Sequence, residues 1–293
     1  MFLTRRGFTL IELLVALVLL GIVATGIYRV LANNQRVYQQ QTQRIDLQQN
    51  IRAAATILPA ELRELAASDG DIQTMAATQL QIRAMRWLGF VCTPPVTGGA
   101  LGNLTMTLRG GAPGRPLFYG SRGFDLTKDS LLIYYDGRPT TRDDDTWILA
   151  RPTASAPLNC LDGRPGLRIT FAVVNMFGSP NLPGSIPSGA PVRGFEQVSY
   201  QLYQPAGDTS WYIGFQPSGA TMQPLIGPVL ANGLTFTYFD SLGVATVVPA
   251  RVARIDIAVR ARTVQVVRQN SGAVSPTVDS VITSVALRNN RRF

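Results

Sequence analysis

Residues 5–17 read Arg5-Arg6-Gly7-Phe8-Thr9-Leu10-Ile11-Glu12-Leu13-Leu14-Val15-Ala16-Leu17, and this stretch decides how the N-terminal part of the chain folds. It opens an apolar segment that runs from Phe8 to Tyr28 and holds one charged residue, Glu12. A helix over these 21 residues spans about 32 Å, enough for the ~30 Å hydrocarbon core of a bilayer. The segment is predicted to cross a membrane, with the short basic leader kept in the cytoplasm.

Composition alone leaves three interpretations of this segment open. The first is a secretory signal that is cut after Ala24-Thr25-Gly26, the second is a plain membrane anchor, and the third is a buried helix of a soluble core. Glu12 argues against all three, because a carboxylate that faces lipid alone costs about 2.5–3.5 kcal/mol on insertion scales. We therefore expect Glu12 to have a partner of opposite charge.

The same residues resemble the prepilin signal of type IV pilins and of the pseudopilins of type II secretion. The shared pattern is a basic leader, a Gly-Phe-Thr-Leu run, two positions that end in Glu, and an unbroken apolar helix. In this chain the pattern is carried by Arg5, Arg6, Gly7, Phe8, Thr9, Leu10, Ile11, Glu12 and the apolar residues that follow.

The resemblance implies a specific processing chemistry. Gly7 would be the last residue of a leader, residues 1–7, that a prepilin peptidase removes. The same enzyme would N-methylate the new N-terminus, Phe8. Glu12 would then pair with the Phe8 ammonium group of a neighbouring subunit.

A polar but helical pattern continues the apolar segment. Its apolar residues recur at helical spacing, at Leu31, Tyr38, Ile45, Ile51, Ala55, Leu58, Leu62 and Leu65. This stripe predicts an amphipathic half that packs on the protein's own sheet, and Pro59 either kinks the helix or starts a second one. We expect the long helix to cover residues 8–67, with 8–28 in the membrane or in a filament core.

Residues 68–293 are predicted to form a β-rich globular domain, which makes the expected fold α+β: a long N-terminal helix packed on an antiparallel sheet. Residues 251–262 alternate with period two, so that Ile255, Ile257 and Val259 share one face. Further strands are predicted at 131–135, 147–150, 167–174, 198–203, 210–215, 234–239 and 278–287. Residues 175–194, with their four prolines, are predicted to be a long exposed loop.

The strand order of residues 197–287 is similar to that of W-type minor pilins and J-type pseudopilins. This second resemblance implies a non-catalytic subunit at or near the tip of a type IV pilus, or alternatively a J-type minor pseudopilin. The implied partners are other minor and major pilins or pseudopilins, the prepilin peptidase and the inner-membrane assembly platform. The implied location is the bacterial inner membrane, with the globular domain in the periplasm, and later the filament.

Residue counts limit the remaining chemistry. The chain has no histidine, which excludes Ser-His-Asp triads and His-ligated metal sites, and its Gly-rich runs match no nucleotide motif. We expect no enzymatic activity and no cofactor. Cys92 and Cys160 are the only cysteines, and the expected topology permits a disulfide between them. Two buried free thiols are the alternative.

Two charged features suggest weaker sites. Asp143, Asp144 and Asp145 are candidate ligands of a hard cation, but their consecutive spacing favours a solvated loop. The 27 basic and 18 acidic residues give a net charge of +9, which raises the alternative of a DNA-uptake or adhesive tip module. Because the arginines are scattered, and cluster only at Arg288, Arg291 and Arg292, nucleic-acid contact is the weaker interpretation.

Overall fold

The computed structural model describes residues 9–97, 103–112, 115–116, 119–138, 140–141, 145–174, 186–268 and 274–289. The predicted positions outside these ranges are Arg5, Arg6, Gly7, Phe8, Asp143, Asp144, Arg291, Arg292 and residues 175–185 of the predicted loop. The chain forms one long helix and then strands, in the order α1 (Leu10–Arg63), β1 (Ile72–Met75), β2 (Gln79–Thr97), β3 (Leu104–Ala112), β4 (Arg115–Pro116), β5 (Tyr119–Gly120), β6 (Ser130–Tyr135), β7 (Thr146–Asn159), β8 (Pro165–Val173), β9 (Pro191–Tyr203), β10 (Trp211–Pro217), β11 (Gln223–Phe239), β12 (Arg254–Arg262), β13 (Val267–Arg268), β14 (Val274–Ser275) and β15 (Val278–Ala286).

Helix α1 has 54 residues and is about 80 Å long. It continues through Pro59, so the chain does not break there. The α-helix ends at Arg63, four residues before the expected boundary, and residues Ala67–Asp69 form a separate 3-10 turn. The chain leaves the helix here because the Asp71 carboxylate accepts the Ala66 N–H at 2.9 Å, which holds the following turn in another conformation.

The second half of α1 packs on an antiparallel sheet with the strand order β1-β2-β9-β10-β11-β12-β15. Leu47, Ala54, Leu58 and Leu62 of the helix share one apolar core with the inner face of this sheet. The strand predicted at 251–262 is β12, and its residues Ile255, Ile257 and Val259 are buried as expected. This arrangement confirms the predicted α+β class.

Strands β2 and β9 are long, and they extend beyond the sheet into a second group of paired strands. Beyond the sheet they take part in a closed ring of antiparallel pairings, in the order β2-β3-β8-β7-β6-β9 and back to β2. The ring encloses its own apolar core, which includes Trp87, Met106, Leu131, Ile169 and Phe171. The domain therefore consists of a sheet that holds the helix and a six-stranded barrel built on two of the same strands.

Two expectations about exposure are wrong. Residues 186–194 are not an exposed loop: Ile186, Ala190 and Val192 are buried in the barrel core, and β9 already begins at Pro191. The helical stripe also differs, because Ile45 is exposed and Leu47 takes its place in the core. The helix leaves the sheet N-terminal to Leu47, so the apolar residues further up the stripe, Leu31 and Tyr38, have no sheet to cover them.

Candidate functional site

The site that the sequence analysis identified around Glu12 lies at the start of helix α1. Thr9 is the N-cap of α1, and Glu12 is the third residue of its first turn. The Glu12 carboxylate accepts from the Thr9 N–H and from its hydroxyl, both at 3.2 Å, while Thr9 Oγ1 accepts the Glu12 N–H at 3.3 Å. This reciprocal capping box fixes the start of the helix directly after Phe8.

The capping box places the Glu12 carboxylate at the end of the apolar segment while leaving it accessible. Its two hydrogen bonds come from a hydroxyl and an amide, so the negative charge itself is not neutralised. The whole residue is exposed, and a cation from another chain can reach it. A negative charge in the first helical turn is also favoured by the helix dipole, which explains why it is tolerated there in the isolated chain.

The apolar half of α1 is uncovered along its length. Every residue from Leu10 to Leu31 is exposed, and the most apolar 18-residue window of the helix has a mean hydropathy of 2.6 with none of it buried. Among the described residues this is the one helix long and apolar enough to cross a membrane. Such a surface is stable only in hydrocarbon or against other apolar helices.

Two side-chain hydrogen bonds anchor the polar half of α1 to the domain, one on each side of Leu47. Gln43 Oε1 accepts the backbone N–H groups of Val264 at 3.1 Å and Gln265 at 3.3 Å. About two turns later, Asn50 Nδ2 donates to the Gly227 carbonyl at 2.8 Å. These contacts and the apolar core together direct the uncovered half away from the sheet as a single projecting rod.

Sequence reasoning missed a buried ionic network where α1, the sheet and the barrel meet. Arg86 donates to Glu61 of the helix at 2.9 Å and to Glu196 of β9 at 3.2 Å. Arg122 bridges the same Glu196 at 3.2 Å to the buried Asp129 at 2.5 Å. No local pattern indicates this network, because its members are far apart in the chain and each looks like a surface charge.

A second buried pair lies beside this network. Arg193 Nη2 donates to Asp71 at 2.9 Å, and its Nη1 lies 3.5 Å from Asp69. Burial raises the pKa of the Asp71 carboxyl, while the Arg193 guanidinium and the Ala66 N–H act in the opposite direction. Because arginine stays protonated, Arg193 of β9 can hold the barrel strand on the segment that follows the helix through Asp69 and Asp71.

The cysteines and the acidic run have different surroundings. Cys92 at the end of β2 and Cys160 in the β7–β8 turn form a disulfide with a Cα–Cα distance of 5.6 Å, so the described chain has no free cysteine. Of the acidic run, the described member is Asp145, which accepts from the Tyr134 hydroxyl at 2.6 Å. Within the described ranges, no three Asp, Glu, His or Cys residues are grouped to hold a metal ion.

Comparison with known proteins bears on the N-terminal site. The chain matches the family model described as the prokaryotic N-terminal methylation motif over residues 3–28. No curated protein and no solved structure matches the chain. The matched residues include Gly7, Phe8, Glu12 and the uncovered apolar segment, and they end before the globular domain. The matched motif, with the projecting apolar helix behind it, supports the place of this chain in the type IV pilin and pseudopilin family.

Proposed function

We propose that this chain is a minor type IV pilin, a non-catalytic structural subunit at or near the tip of the pilus that helps to initiate assembly. The observation that carries the proposal is helix α1. Its first half bears the methylation motif and is fully uncovered, while its second half is fixed in the domain. A rod of this kind is stable in a membrane before assembly and among the helices of other subunits afterwards.

Processing at Gly7 supplies the charge that the site needs. Cleavage leaves an ammonium group on Phe8 at the end of the apolar segment, and N-methylation keeps that group charged. Glu12 follows four positions later in the sequence, in the first turn of α1, and its carboxylate is accessible. When two helices pack with an axial offset, one subunit's carboxylate meets the next subunit's ammonium, and each neutralises the other in low dielectric.

The barrel supports a terminal position in the filament. It begins at the C-terminal end of α1, where Glu61 of the helix binds Arg86, the residue before the buried Trp87. Helical filaments repeat one head-to-tail contact between successive subunits. A barrel at the end of the rod opposite the apolar segment occupies space that a following subunit's domain would need. A position at or near the tip avoids that conflict.

The proposal is tested by following the N-terminal cleavage of the chain and its location in the filament in one strain. The full chain is expressed with its prepilin peptidase, and the mature N-terminus is read by Edman degradation and intact mass. We expect N-methylated phenylalanine 8. Sheared filaments should contain the chain at low stoichiometry, with immunogold label at their ends. Label distributed along the filaments, or a mature chain that starts at methionine 1, would contradict the proposal.

The alternative within the same family is a J-type minor pseudopilin of a type II secretion system, and the strand order of β9 to β15 favours it equally. Both assignments need the same processed helix and the same Glu12 pair. Deletion of the gene separates them, because a pilus subunit is needed for surface pili and a pseudopilin for release of secreted enzymes. Loss of secretion with normal pili would assign the chain to type II secretion.

A further inference from the structure

The loop at residues 240–248, the apical loop, lies at the end of the molecule opposite the apolar half of α1. Strand β11 ends at Phe239, directly before this loop, and Phe239 pairs with Arg254 at the start of β12. Arg254 pairs in turn with Ala286 at the end of β15. Two residues further on, the Arg288 N–H donates to the carbonyl of Arg63 at the end of α1, at 3.0 Å.

The apical loop exposes four aliphatic side chains. Leu242 is 85% exposed and Val247 is 87% exposed, and Val244 and Val248 lie beside them with 59% and 43%. Isolated exposed aliphatic residues are common on soluble domains, but here four lie within seven residues of one loop. Such a projection is typical of an interaction site.

Hydrogen bonds hold this loop in one conformation. The Asp240 carboxylate accepts the backbone N–H groups of Leu242 and Val244, both at 2.9 Å, and the Asp240 N–H donates to the Val244 carbonyl at 2.9 Å. Gly243 provides the left-handed residue of the turn, with φ of 78°. The Thr246 N–H donates to the Tyr238 carbonyl at 3.0 Å. The aliphatic side chains are therefore directed outward by the loop rather than exposed by fraying.

Three exposed arginines lie on the chain segments that meet at this end of the sheet. Arg63, Arg251 and Arg288 are exposed and form no ion pair with any carboxylate in the described part of the chain. Arg251 follows the loop directly, in a turn closed by its N–H donating to the Val248 carbonyl at 3.0 Å. The result is an apolar projection with a cationic rim.

We infer that the apical loop inserts into an anionic phospholipid bilayer. Aliphatic side chains are stabilised in the acyl region, while arginines at their base lie at the depth of the headgroup phosphates. A nucleic acid offers phosphates but nothing for the four aliphatic side chains to enter, and the loop has no aromatic ring for base stacking. The helix between Tyr28 and Arg63 is about 50 Å long, so this bilayer is not the one that holds the apolar segment.

The full chain is reconstituted in nanodiscs of zwitterionic phosphatidylcholine, so that the apolar half of its own helix α1 lies in the nanodisc bilayer. The nanodiscs are mixed with vesicles of phosphatidylcholine alone or with phosphatidylglycerol, and co-flotation measures tethering. Two variants remove the two parts of the surface: Leu242→Ser with Val247→Ser, and Arg251→Gln with Arg288→Gln. The matched control is Leu161→Ser with Arg164→Gln, an 82% exposed leucine and an arginine with a 75% exposed side chain in the β7–β8 turn. Circular dichroism of each variant checks the fold.

We expect wild type and control to tether anionic vesicles, and each apical-loop variant to lose at least about tenfold in the partition constant. Equal tethering to both vesicle types, or none, overturns the inference. So does loss in the arginine variant without loss in the leucine–valine variant, which indicates attraction to any polyanion, including DNA. A photocrosslinker at Leu242 that captures another pilin without vesicle tethering assigns the loop to protein contact instead. Because the assay uses the unprocessed chain, its result is independent of whether Gly7 is cleaved.

Discussion

Gly194 of β9 pairs in register with Trp87 of β2 at the point where the sheet becomes the barrel. A side chain at position 194 would occupy the same space as the indole ring. Trp87 is fully buried, and its Nε1 donates to the carboxylate of Asp129 at 2.8 Å. The glycine therefore allows one large aromatic residue to fill the junction of the two layers and to reach the buried ionic network.

Gly194→Ala should destabilise the domain by about 3 kcal/mol, because an added methyl group forces a close-packed tryptophan to move. Thermal and urea unfolding of the full chain in detergent measure the change. The companion variant is Gly194→Ala with Trp87→Phe, which frees space and should recover part of the loss relative to Trp87→Phe alone. Equal stability of Gly194→Ala and wild type would show that the two residues do not pack as described.

Arg86→Gln should cost about 3 kcal/mol of unfolding free energy, because it leaves the partly buried Glu61 without its cation and the buried Glu196 with Arg122 alone. Arg164→Gln is the control, since the Arg164 side chain is exposed and its contact with Asp162 is 3.9 Å. Equal unfolding midpoints for the two variants would mean that the network contributes nothing to stability.

Replacing both Cys92 and Cys160 with serine should lower the unfolding free energy by about 2–4 kcal/mol, because the bond closes a long loop in the unfolded chain. The measurement is denaturant unfolding of wild type with and without reductant, alongside the double variant. Reductant should bring wild type to the stability of the variant. A wild-type mass under non-reducing conditions that shows two free thiols would contradict the disulfide.

Gly7→Arg should prevent removal of residues 1–7 when the chain is co-expressed with a prepilin peptidase, since the resemblance makes Gly7 the cleavage residue. Intact mass separates the full chain from the trimmed one. Gly26→Leu is the matched control: it replaces the small residue that a signal peptidase needs before the alternative cut, and a Cβ there meets nothing within 4 Å. A mature chain that begins at Ile27, abolished by Gly26→Leu and not by Gly7→Arg, would identify an ordinary secretory signal.

Glu12→Val should leave membrane insertion and cleavage intact while reducing recovery in filaments by about tenfold, because the neighbouring Phe8 ammonium loses its counter-charge in low dielectric. Quantitative blotting of sheared filaments and of the membrane fraction measures both steps. Thr9→Val separates the two roles of the site, since it removes both hydrogen bonds of the Thr9 hydroxyl but keeps the Glu12 carboxylate. Equal losses in both variants would assign Glu12 to helix capping rather than to the intersubunit pair.

The helix and several strands could be predicted because their signals are local. The apolar run after Thr9 and the period-two alternation of β12 lie within short windows, and the structure confirms both. Residues 186–194 were misjudged for the converse reason. Their prolines and glycines are typical of a surface loop, yet Pro191 starts a strand that pairs with Phe90, about 100 positions earlier in the chain. No window around Pro191 contains its partner.

The ionic network could not be predicted from the sequence for the same reason, because its side chains come from distant parts of the chain. Glu61, Arg86 and Glu196 are each ordinary surface residues by type, and burial follows from the three elements that meet around them. The apical loop is the opposite case. Its turn residues are typical of a loop in the sequence. Its exposure depends on the tertiary structure, in which no described element covers Leu242 or Val247.

The amino-acid sequence by itself determined the long helix, its apolar half, the methylation motif and the isolated charge at Glu12. A helix satisfies its backbone with hydrogen bonds four residues apart, so composition and period over short stretches are sufficient. The tertiary structure alone decided that β2 and β9 build both the sheet and the barrel, and which charges and aliphatic residues are covered. Strand pairing joins residues that are far apart in sequence, and the choice among such pairings depends on loop closure and on packing of the whole domain.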